Sequence, residues 1–310
     1  MRFRKSAIRT ILTASVGMSL APFAPPGPAW AAPATTDHCG GWTVGTVASG
    51  YGMLESLAFD GRGRLLLSEQ SVTGTGGAVR ELTADGRRAT FVGDIDGVGE
   101  LSVVGDTLYY TTGLSLQSKF AAEPGGIEAV DLDTGTRRSV AGGLDMPNGL
   151  ALLPDGDFVV TSDMGADTRM TRVRAGVDVG PFSSAVTSTN GLAYDPRRHR
   201  LFVSSTFDPV TVIAMVDPDR PEAAITIELP GLGPLNAADG VAVGPDGFVY
   251  VTYSLGGKVI RVDPDRARWC TVADGLPLST SVRFGSGPGW DPGSLYVTSY
   301  LGTVTRLTPH

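Results

Sequence analysis

The sequence predicts an all-β protein, a six-bladed β-propeller whose blades have four strands each. Runs rich in β-branched and aromatic residues alternate with Pro-Asp-Gly turns, and the apolar residues show no helical periodicity. Six segments with similar patterns follow one another at intervals of 45, 48, 42, 49 and 41 residues, which is the spacing of propeller blades. The repeats are anchored at Glu55, Glu100, Asn148, Asn190, Asp239 and Thr280.

Each repeat has the same internal order. An inner strand is followed by a turn, a second strand that ends in Ser or Thr, a Gly-rich connection and a third strand. In the third repeat, the inner strand falls at residues 148–153 and the second strand at 158–163, with Pro154-Asp155-Gly156 between them. Because turn residues bound apolar runs of strand length, we expect consecutive antiparallel strands within each blade.

The first and last strands are expected to close the ring. Residues 302–307 have the pattern of a third strand with no fourth strand after it, and residues 42–47 form a strand before the first repeat. Pairing the two would cover strand edges that otherwise associate with other chains. We therefore expect one domain at 42–310, preceded by a short segment at 32–41.

Residues 1–31 are expected to be a secretory signal peptide. A basic start precedes an apolar run at 8–23, and Ala29-Trp30-Ala31 supplies the small residues of a cleavage site. The apolar run is interrupted by Gly17 and Pro22, so it is too short for a membrane anchor. We expect a secreted, extracellular protein with no membrane anchor after signal removal.

The charge of the chain argues against nucleic-acid binding. The formal net charge is −7, and removal of the four basic residues of the signal segment takes it to about −11. Binding to a phosphate backbone needs a basic surface stripe, and the mature sequence contains no Lys/Arg cluster. A small molecule is the expected partner.

Four oxygen-bearing side chains stand at the start of inner strands, in the first, third, fourth and fifth repeats. In a propeller these strands line the central channel, so the four side chains should converge there. Two carboxylates and two amides form a hard oxygen site of charge −2 without imidazole or thiolate, which favours Ca²⁺ over zinc or copper. The candidate ligands are Glu55, Asn148, Asn190 and Asp239.

A competing interpretation is that three of these residues form hairpin turns, because each is followed by Gly and Asn-Gly or Asp-Gly is a strong turn signal. The dipeptides concerned are Asn148-Gly149, Asn190-Gly191 and Asp239-Gly240. Separate turns, however, already serve the hairpins. Metal ligation is therefore the preferred interpretation.

The order and spacing of these motifs resemble the gluconolactonase and senescence-marker-protein family of calcium-dependent six-bladed propellers. The most specific stretches are residues 188–195, and 239–243 followed by 257–264, and the resemblance covers essentially the whole mature chain. It implies that the four candidate ligands hold a catalytic calcium ion. It also implies that Asp239 acts either as ligand and general base or as a ligand alone.

Two positions depart from the family pattern. Glu55 is followed by Ser56-Leu57, where the family often has Gly-Pro. Met146 stands two residues before the blade-three Asn, where family gluconolactonases carry Arg. A thioether cannot make the planar hydrogen bonds of a guanidinium, so Met146 in the pocket favours an apolar substrate. Alternatively, Met146 packs inside the blade.

Residues at the ends of the second strands are expected to line the substrate pocket on the metal-bearing face, together with Met146 and Asn148. Such residues can instead satisfy backbone groups at the blade edge. Glu100 is one position off the ligand register and is expected behind the ligands or at the surface. His38, His199 and His310 are badly placed for catalysis, which leaves a carboxylate as base. The pocket candidates are Glu69, Asp163, Thr206, Tyr253 and Tyr300.

Cys39 and Cys270 are the only cysteines. An exported protein usually oxidises an accessible pair, so a disulfide that ties the N-terminal strand to the fifth blade is expected. A pair of buried free thiols is the alternative.

The preferred function is a calcium-dependent hydrolase of the lactonase or esterase type that acts on a small, apolar molecule. Fold alone does not establish this activity. A metal-dependent cyclase or lyase using the same pocket is one alternative, suggested by analogy with strictosidine-synthase-like propellers. A non-catalytic extracellular binding propeller with structural calcium is the other.

Overall fold

The computed structural model describes residues 38–71, 76–121 and 124–310. These residues form six four-stranded antiparallel sheets, and each innermost strand contacts the innermost strand of the next sheet around a closed ring. The predicted six-bladed propeller is confirmed. The predicted signal peptide at 1–31, and residues 32–37 of the short segment that follows it, lie outside the described residues.

The strands follow the repeats closely. Blade 1 is formed by β2 (Met53–Phe59), β3 (Arg64–Gln70), β4 (Gly77–Thr83) and β5 (Arg88–Ile95), and blade 2 by β6 (Leu101–Val104), β7 (Thr107–Thr112), β8 (Gly125–Asp131) and β9 (Arg137–Leu144). Blade 3 contains β10 (Pro147–Leu152), β11 (Phe158–Ser162), β12 (Thr171–Arg174) and β13 (Val177–Pro181).

The second half of the ring continues the pattern. Blade 4 contains β14 (Thr189–Asp195), β15 (Arg200–Ser205), β16 (Val210–Asp217) and β17 (Arg220–Leu232), and blade 5 contains β18 (Ala238–Val243), β19 (Val249–Tyr253), β20 (Lys258–Asp263) and β21 (Arg268–Asp274). Blade 6 combines β22 (Ser279–Phe284), β23 (Leu295–Ser299) and β24 (Thr303–Pro309) with β1 (Trp42–Ala48).

The N-terminal strand closes the ring as predicted. Strand β1 pairs antiparallel with β24, from Trp42 opposite Pro309 to Ala48 opposite Val304. Blade 6 therefore takes its outer strand from the start of the chain. The six inner strands β2, β6, β10, β14, β18 and β22 run in the same direction along the channel. We call the end where these strands begin the front mouth, and the opposite end the rear mouth.

Apolar side chains fill the spaces between neighbouring blades. Leu66 and Val79 of blade 1 pack in one cluster with Leu108 and Tyr110 of blade 2, and all four are essentially inaccessible to solvent. Equivalent clusters recur around the ring. Middle strands are covered on both faces, which explains their continuous apolar runs, and burial of this surface is the main stabilising term of the fold.

Two short helices lie at the front mouth. Helix α1 (Leu116–Ala121) follows β7, and α2 (Gly233–Asn236) joins β17 to β18. Within the described residues, neither has the length and apolar character needed to cross a bilayer.

A disulfide joins Cys39 to Cys270, with the two Cα atoms 5.1 Å apart. The backbone N–H of Cys39 also donates to the carbonyl of Thr271 at 2.8 Å. The segment before β1 is thus attached to β21 of the fifth blade.

Candidate functional site

Every candidate ligand lies in a β-bulge at the start of an inner strand. In blade 3, Pro147 pairs with Ser162 and Leu150 with Val160, so two residues of the inner strand oppose one residue of β11. The same irregularity occurs in blades 1, 4, 5 and 6. A bulge turns a side chain away from the regular alternation. The bulge residues of these blades are Glu55, Asn148, Asn190, Asp239 and Thr280.

Hydroxyl groups of the second strands hold these bulges. Thr161 accepts a hydrogen bond from the N–H of Gly149 in its own blade (2.7 Å) and donates to the carbonyl of Asn190 in the next. Ser204 likewise accepts from Gly191 N–H (2.9 Å) and donates to the carbonyl of Asp239 (2.7 Å). The buried hydroxyl ring consists of Ser68, Thr111, Thr161, Ser204, Thr252 and Thr298.

The ring was missed as a functional element, although the sequence carries its signal. Each second strand has a Ser or Thr at the equivalent position, which lies opposite the bulge in blades 1, 3, 4, 5 and 6, and this recurrence was visible in the repeats. The hydrogen bonds from these hydroxyl groups to the next blade could not be predicted, because they depend on the spacing of neighbouring inner strands. The hydroxyl ring is what fixes the backbone of the candidate ligands.

The glycines after three of the candidate ligands are required by close packing between blades. A Cβ atom on Gly149 would lie 2.7 Å from the carbonyl oxygen of Asn190, and one on Gly191 would lie 2.2 Å from that of Asp239. Both dipeptides are inside strands β10 and β14. The hairpin-turn interpretation is therefore wrong.

A chain of hydrogen bonds connects the site residues of blades 1, 3 and 4. Asn148 Nδ2 donates to Glu55 Oε1 (3.3 Å) and to Asn190 Oδ1 (3.1 Å). Asn190 Nδ2 donates in turn to Asp163 Oδ1 (3.3 Å). From the other side, the hydroxyl of Tyr300 donates to Glu55 Oε2. The structure thus brings Asp163 and Tyr300, two of the predicted pocket residues, into direct contact with candidate ligands.

Asp239 faces the same interior but stands outside this chain. Its side chain is buried, and neither carboxylate oxygen has a hydrogen-bond partner among the described residues. Burial raises the pKa of Asp239 well above its ordinary value, and the negative charges of Glu55 and Asp163 raise it further. A buried carboxylate without hydrogen-bond partners is well suited to bind a cation.

The pKa values of the other two carboxylates, Glu55 and Asp163, are raised as well. Burial raises the pKa of Glu55 to about 8, an effect that the hydrogen bond from Tyr300 opposes. Burial also raises the pKa of Asp163, which is half-buried, and the N–H of Met164 and the positive charge of Lys119 oppose this effect. In the described part of the chain, none of the three acids forms an ion pair with Lys or Arg. Buried like charges are costly unless a proton or a cation compensates them.

Three other predicted pocket residues have different surroundings. Thr206 donates to the carbonyl of Ala238 (2.6 Å), next to Asp239. Tyr253 is packed in the core between blades 4 and 5. Glu69 forms an ion pair with Arg80 of β4 (3.1 Å). Glu69 and Tyr253 pair through the backbone with Leu54 of β2 and Ala238 of β18, but of the three only Thr206 makes a side-chain hydrogen bond to an inner strand that carries a candidate ligand.

Met146 lies at the edge of the site. It is buried, adopts a left-handed backbone conformation with φ of 40°, and accepts a hydrogen bond from the N–H of Asp163 at its carbonyl (3.0 Å). Ser188 and Ala237 have the same conformation two residues before their own ligands. The residue two positions before each of these three ligands therefore helps to turn the chain into the channel.

Glu100 lies inside the channel and pairs with Arg283 of β22. This ion pair also borders a cavity of about 610 Å³ at the rear mouth, formed by the later residues of all six inner strands. Of the two predicted positions for Glu100, behind the ligands or at the surface, the structure shows the first, because Glu100 is buried in the channel.

A second group of metal-binding residue types lies at the rear of blade 4. Ligand atoms of His199, Asp217 and Asp219 lie within 4.8 Å of one another. The Asp217 carboxylate, however, already pairs with Arg200 (3.3 Å) and Arg220 (3.1 Å). Its negative charge is thus compensated, unlike those at the front mouth.

The decisive comparison concerns the second half of the chain. Residues 159–300 match the model of the SMP-30/Gluconolactonase/LRE-like region. The chain resembles the gluconolactonase family. This confirms the resemblance read from the motifs. The matched part contains Asn190 and Asp239, whereas Glu55 and Asn148 precede it. The gluconolactonase-like similarity suggests lactonase-type hydrolysis.

Solved structures support the same fold. A gluconolactonase from Xanthomonas campestris superposes with a TM-score of 0.66 and 18% identity, covering 88% of this chain and 91% of that one. The calcium-binding protein regucalcin from Agrobacterium tumefaciens gives 0.61 and 15%, with 84% and 92% covered. Virginiamycin B lyase from Staphylococcus aureus gives 0.56 and 12%, with 87% and 99% covered.

At such identities these likenesses establish the propeller fold alone. A comparison with curated protein sequences finds no match. The chemistry must therefore be argued from the residues of the site.

Proposed function

We propose that this protein is an exported, calcium-dependent hydrolase of the lactonase or esterase type that acts on a small, apolar molecule. One observation carries the proposal: Glu55 and Asp239 are buried at the front mouth beside the half-buried Asp163, and in the described residues none of the three forms an ion pair with Lys or Arg. The amide oxygens of Asn148 and Asn190 complete a set of oxygen donors. Such a set fits Ca²⁺, which takes several hard oxygen ligands.

The residues of the chain have separable tasks in this proposal. Glu55, Asn148, Asn190 and Asp239 would hold the ion, which when bound polarises an ester carbonyl and stabilises the charge that develops on its oxygen. Tyr300 keeps Glu55 in place through its hydrogen bond. Asp239 has carboxylate oxygens free of hydrogen bonds and is the proposed acceptor of the proton lost by the attacking water.

The substrate is proposed to be neutral and apolar. Met146 supplies a buried thioether at the edge of the site, and no Lys or Arg forms an ion pair with the site carboxylates in the described part of the chain. A substrate with its own negative charge would add to the charges of Glu55 and Asp239, which no ion pair with Lys or Arg compensates among the described residues. A neutral lactone or ester avoids that repulsion.

The proposal is tested by metal analysis followed by turnover of a lactone panel. Purified protein should contain one calcium ion per chain, lose lactone hydrolysis in chelator and regain it on addition of calcium. Asp239→Asn keeps an oxygen ligand but removes the proton acceptor, so it should bind calcium and fail to turn over. Glu228→Gln, at an exposed position of β17, is the matched control. Zinc in place of calcium, or full activity in chelator, would contradict the proposal.

Export is tested independently of chemistry. The full chain should appear in the extracellular fraction shortened at its N-terminus, and a chain that lacks residues 1–31 should stay inside the cell. Retention of both forms inside the cell would contradict the expected signal peptide and leave the catalytic proposal standing.

A further inference from the structure

Exposed apolar side chains are concentrated at the front mouth. Of the fourteen large hydrophobic residues that are exposed in the described part of the chain, eight lie on or beside the connections that surround this mouth. Single exposed apolar residues are ordinary, but a concentration on one face marks a binding surface. The eight are Phe120, Met164, Phe207, Val210, Leu232, Leu235, Leu255 and Leu301.

Five of the eight form what we call the apolar patch, on blades 4 and 5: Phe207, Val210, Leu232, Leu235 and Leu255. Their exposed fractions run from 40% at Phe207 to 66% at Leu235. Val210 and Leu232 are direct cross-strand partners.

Backbone hydrogen bonds join the segments that carry the patch. The N–H of Gly233, at the start of α2, donates to the carbonyl of Pro209 (3.1 Å), two residues after Phe207. The N–H of Gly256, beside Leu255, donates to the carbonyl of Asn236 at the end of α2 (3.1 Å). The loops after the second strands of blades 4 and 5 are therefore both attached to α2.

The patch adjoins the candidate cation site through the same segments. Helix α2 ends at Asn236, the N–H of the next residue, Ala237, donates to the carbonyl of Gly233, and Asp239 follows two residues after Ala237. Thr206, which precedes Phe207, donates to the carbonyl of Ala238 (2.6 Å). Phe207 of the patch is thus the neighbour of a residue that hydrogen-bonds to β18, the inner strand that carries Asp239.

We propose that the apolar patch binds the hydrocarbon arm of the substrate, so that the preferred substrates are lactones or esters with an unbranched alkyl chain. This inference rests on the proposed function, because it places the reacting carbonyl at the cation site. A medium-length chain that leaves the site over α2 would cover side chains that are otherwise in water. The gain should grow with each methylene group buried.

The alternative occupant of such a surface is a lipid bilayer. Two observations favour the alkyl arm. The patch occupies one sector of the mouth, beside Asp239, and the chain carries a formal net charge of −7, which anionic membrane surfaces repel.

The experiment compares δ-lactones whose side chains lengthen from δ-valerolactone to δ-dodecalactone. In the wild-type protein, kcat/KM should rise about fourfold per added methylene until the patch is filled. In the double variant Leu235→Ser/Leu255→Ser, the ratio of kcat/KM for the longest to the shortest lactone should fall about tenfold. Ile225→Ser is the matched control, because Ile225 is 58% exposed on β17 and lies outside the patch. It should keep the wild-type ratio.

Binding separates this inference from the proposed function. With chelator present to stop hydrolysis, calorimetry should show δ-dodecalactone binding about tenfold more weakly to the double variant than to the wild type. Should no lactone be hydrolysed under any condition, the proposed function fails, whereas this binding difference still supports the patch.

Equal affinity of the two proteins for δ-dodecalactone would overturn the inference. So would wild-type binding to phosphatidylcholine vesicles that the double variant loses while its lactone ratio stays unchanged. That result would assign the patch to a lipid surface.

Discussion

Asn190 and Asp163 are joined by a hydrogen bond in which the amide nitrogen donates to the carboxylate, Nδ2 to Oδ1 at 3.3 Å. Since the nitrogen is committed to Asp163, the amide oxygen of Asn190 is directed at the other site residues, where it accepts from Asn148 (3.1 Å). Asp163 therefore fixes the orientation of the Asn190 amide, whose oxygen and nitrogen could otherwise exchange places by rotation of the side chain.

Replacement of Asp163 should weaken calcium binding without removing a candidate ligand. We expect Asp163→Ala to raise the calcium Kd by about 10- to 100-fold, the usual loss when the partner of a ligand is removed. Asp163→Asn retains an acceptor oxygen for Asn190 and should recover part of the affinity. Calorimetry with calcium alone gives both values. Equal affinities in the wild type and Asp163→Ala would show that the hydrogen bond does not orient Asn190.

Calcium should stabilise the fold because it joins side chains from four blades. At a hundredfold excess over Kd the gain is about 2.7 kcal/mol in the free energy of unfolding, seen as a higher Tm. Glu55→Ala and Asp239→Ala should lose most of this calcium-dependent shift. Glu228→Ala, at an exposed position, should keep it. A wild-type shift in both ligand variants, measured by differential scanning calorimetry, would contradict the ligand assignment.

Without calcium, stability should fall as pH rises. Burial raises the pKa of Glu55 from 4.5 to about 8, so the folded state binds a proton more tightly than the unfolded chain does. The resulting stabilisation is complete below pH 4.5 and is lost as pH rises towards 8. We expect the Tm in chelator to decrease across this window, and calcium to restore it most strongly at the alkaline end. A Glu55→Gln variant should show a flatter profile, and an unchanged profile would remove Glu55 as the cause.

The hydroxyl ring should contribute to both stability and metal affinity. Thr161→Val removes the acceptor for the N–H of Gly149 and the donor to the carbonyl of Asn190 while preserving shape. We expect a loss of about 1–3 kcal/mol in the free energy of unfolding, the cost of leaving buried polar groups unpaired, and weaker calcium binding. Thr161→Ser keeps the hydroxyl and should lose much less in chemical denaturation. Identical losses in the two variants would assign the effect to packing.

Met146 should influence the polarity of the preferred substrate. A buried thioether at the edge of the site rewards contact with alkyl groups, so wild-type kcat/KM should be higher for an alkyl lactone than for gluconolactone. Met146→Arg should shift this ratio towards gluconolactone by at least tenfold, because a guanidinium can hydrogen-bond the hydroxyl groups of a sugar lactone. Met146→Leu is the apolar control. A preference for gluconolactone that Met146→Arg leaves unchanged would show that Met146 serves blade packing only.

Much of the architecture follows from local signals in the sequence. The period in the forties and the Pro-Asp-Gly turns predicted six blades, and the strand pattern at 42–47 predicted closure with β24, which is observed. The position of Asn148, Asn190 and Asp239 at the start of inner strands was also correct. These features repeat along the chain, so each repeat can be recognised by comparison with the others.

The non-repeating side chains were harder to place. Asp163, Thr206 and Tyr253 all stand at ends of second strands, yet the first contacts a ligand, the second bonds to the backbone and the third packs in the core. Nothing in a single strand distinguishes them, because the orientation of a side chain at a strand end depends on the loop that follows it.

The sequence by itself determined the number of blades, the closing strand and the residues that enter the channel, because these depend on strand period and turn chemistry. Only the tertiary structure decided that Asp163 and Tyr300 join the site, that Glu69 pairs with Arg80, and that the glycines after the ligands serve close packing. Each of these depends on the distance between neighbouring blades. That distance is set by the packing of the whole ring, which no local stretch of sequence contains.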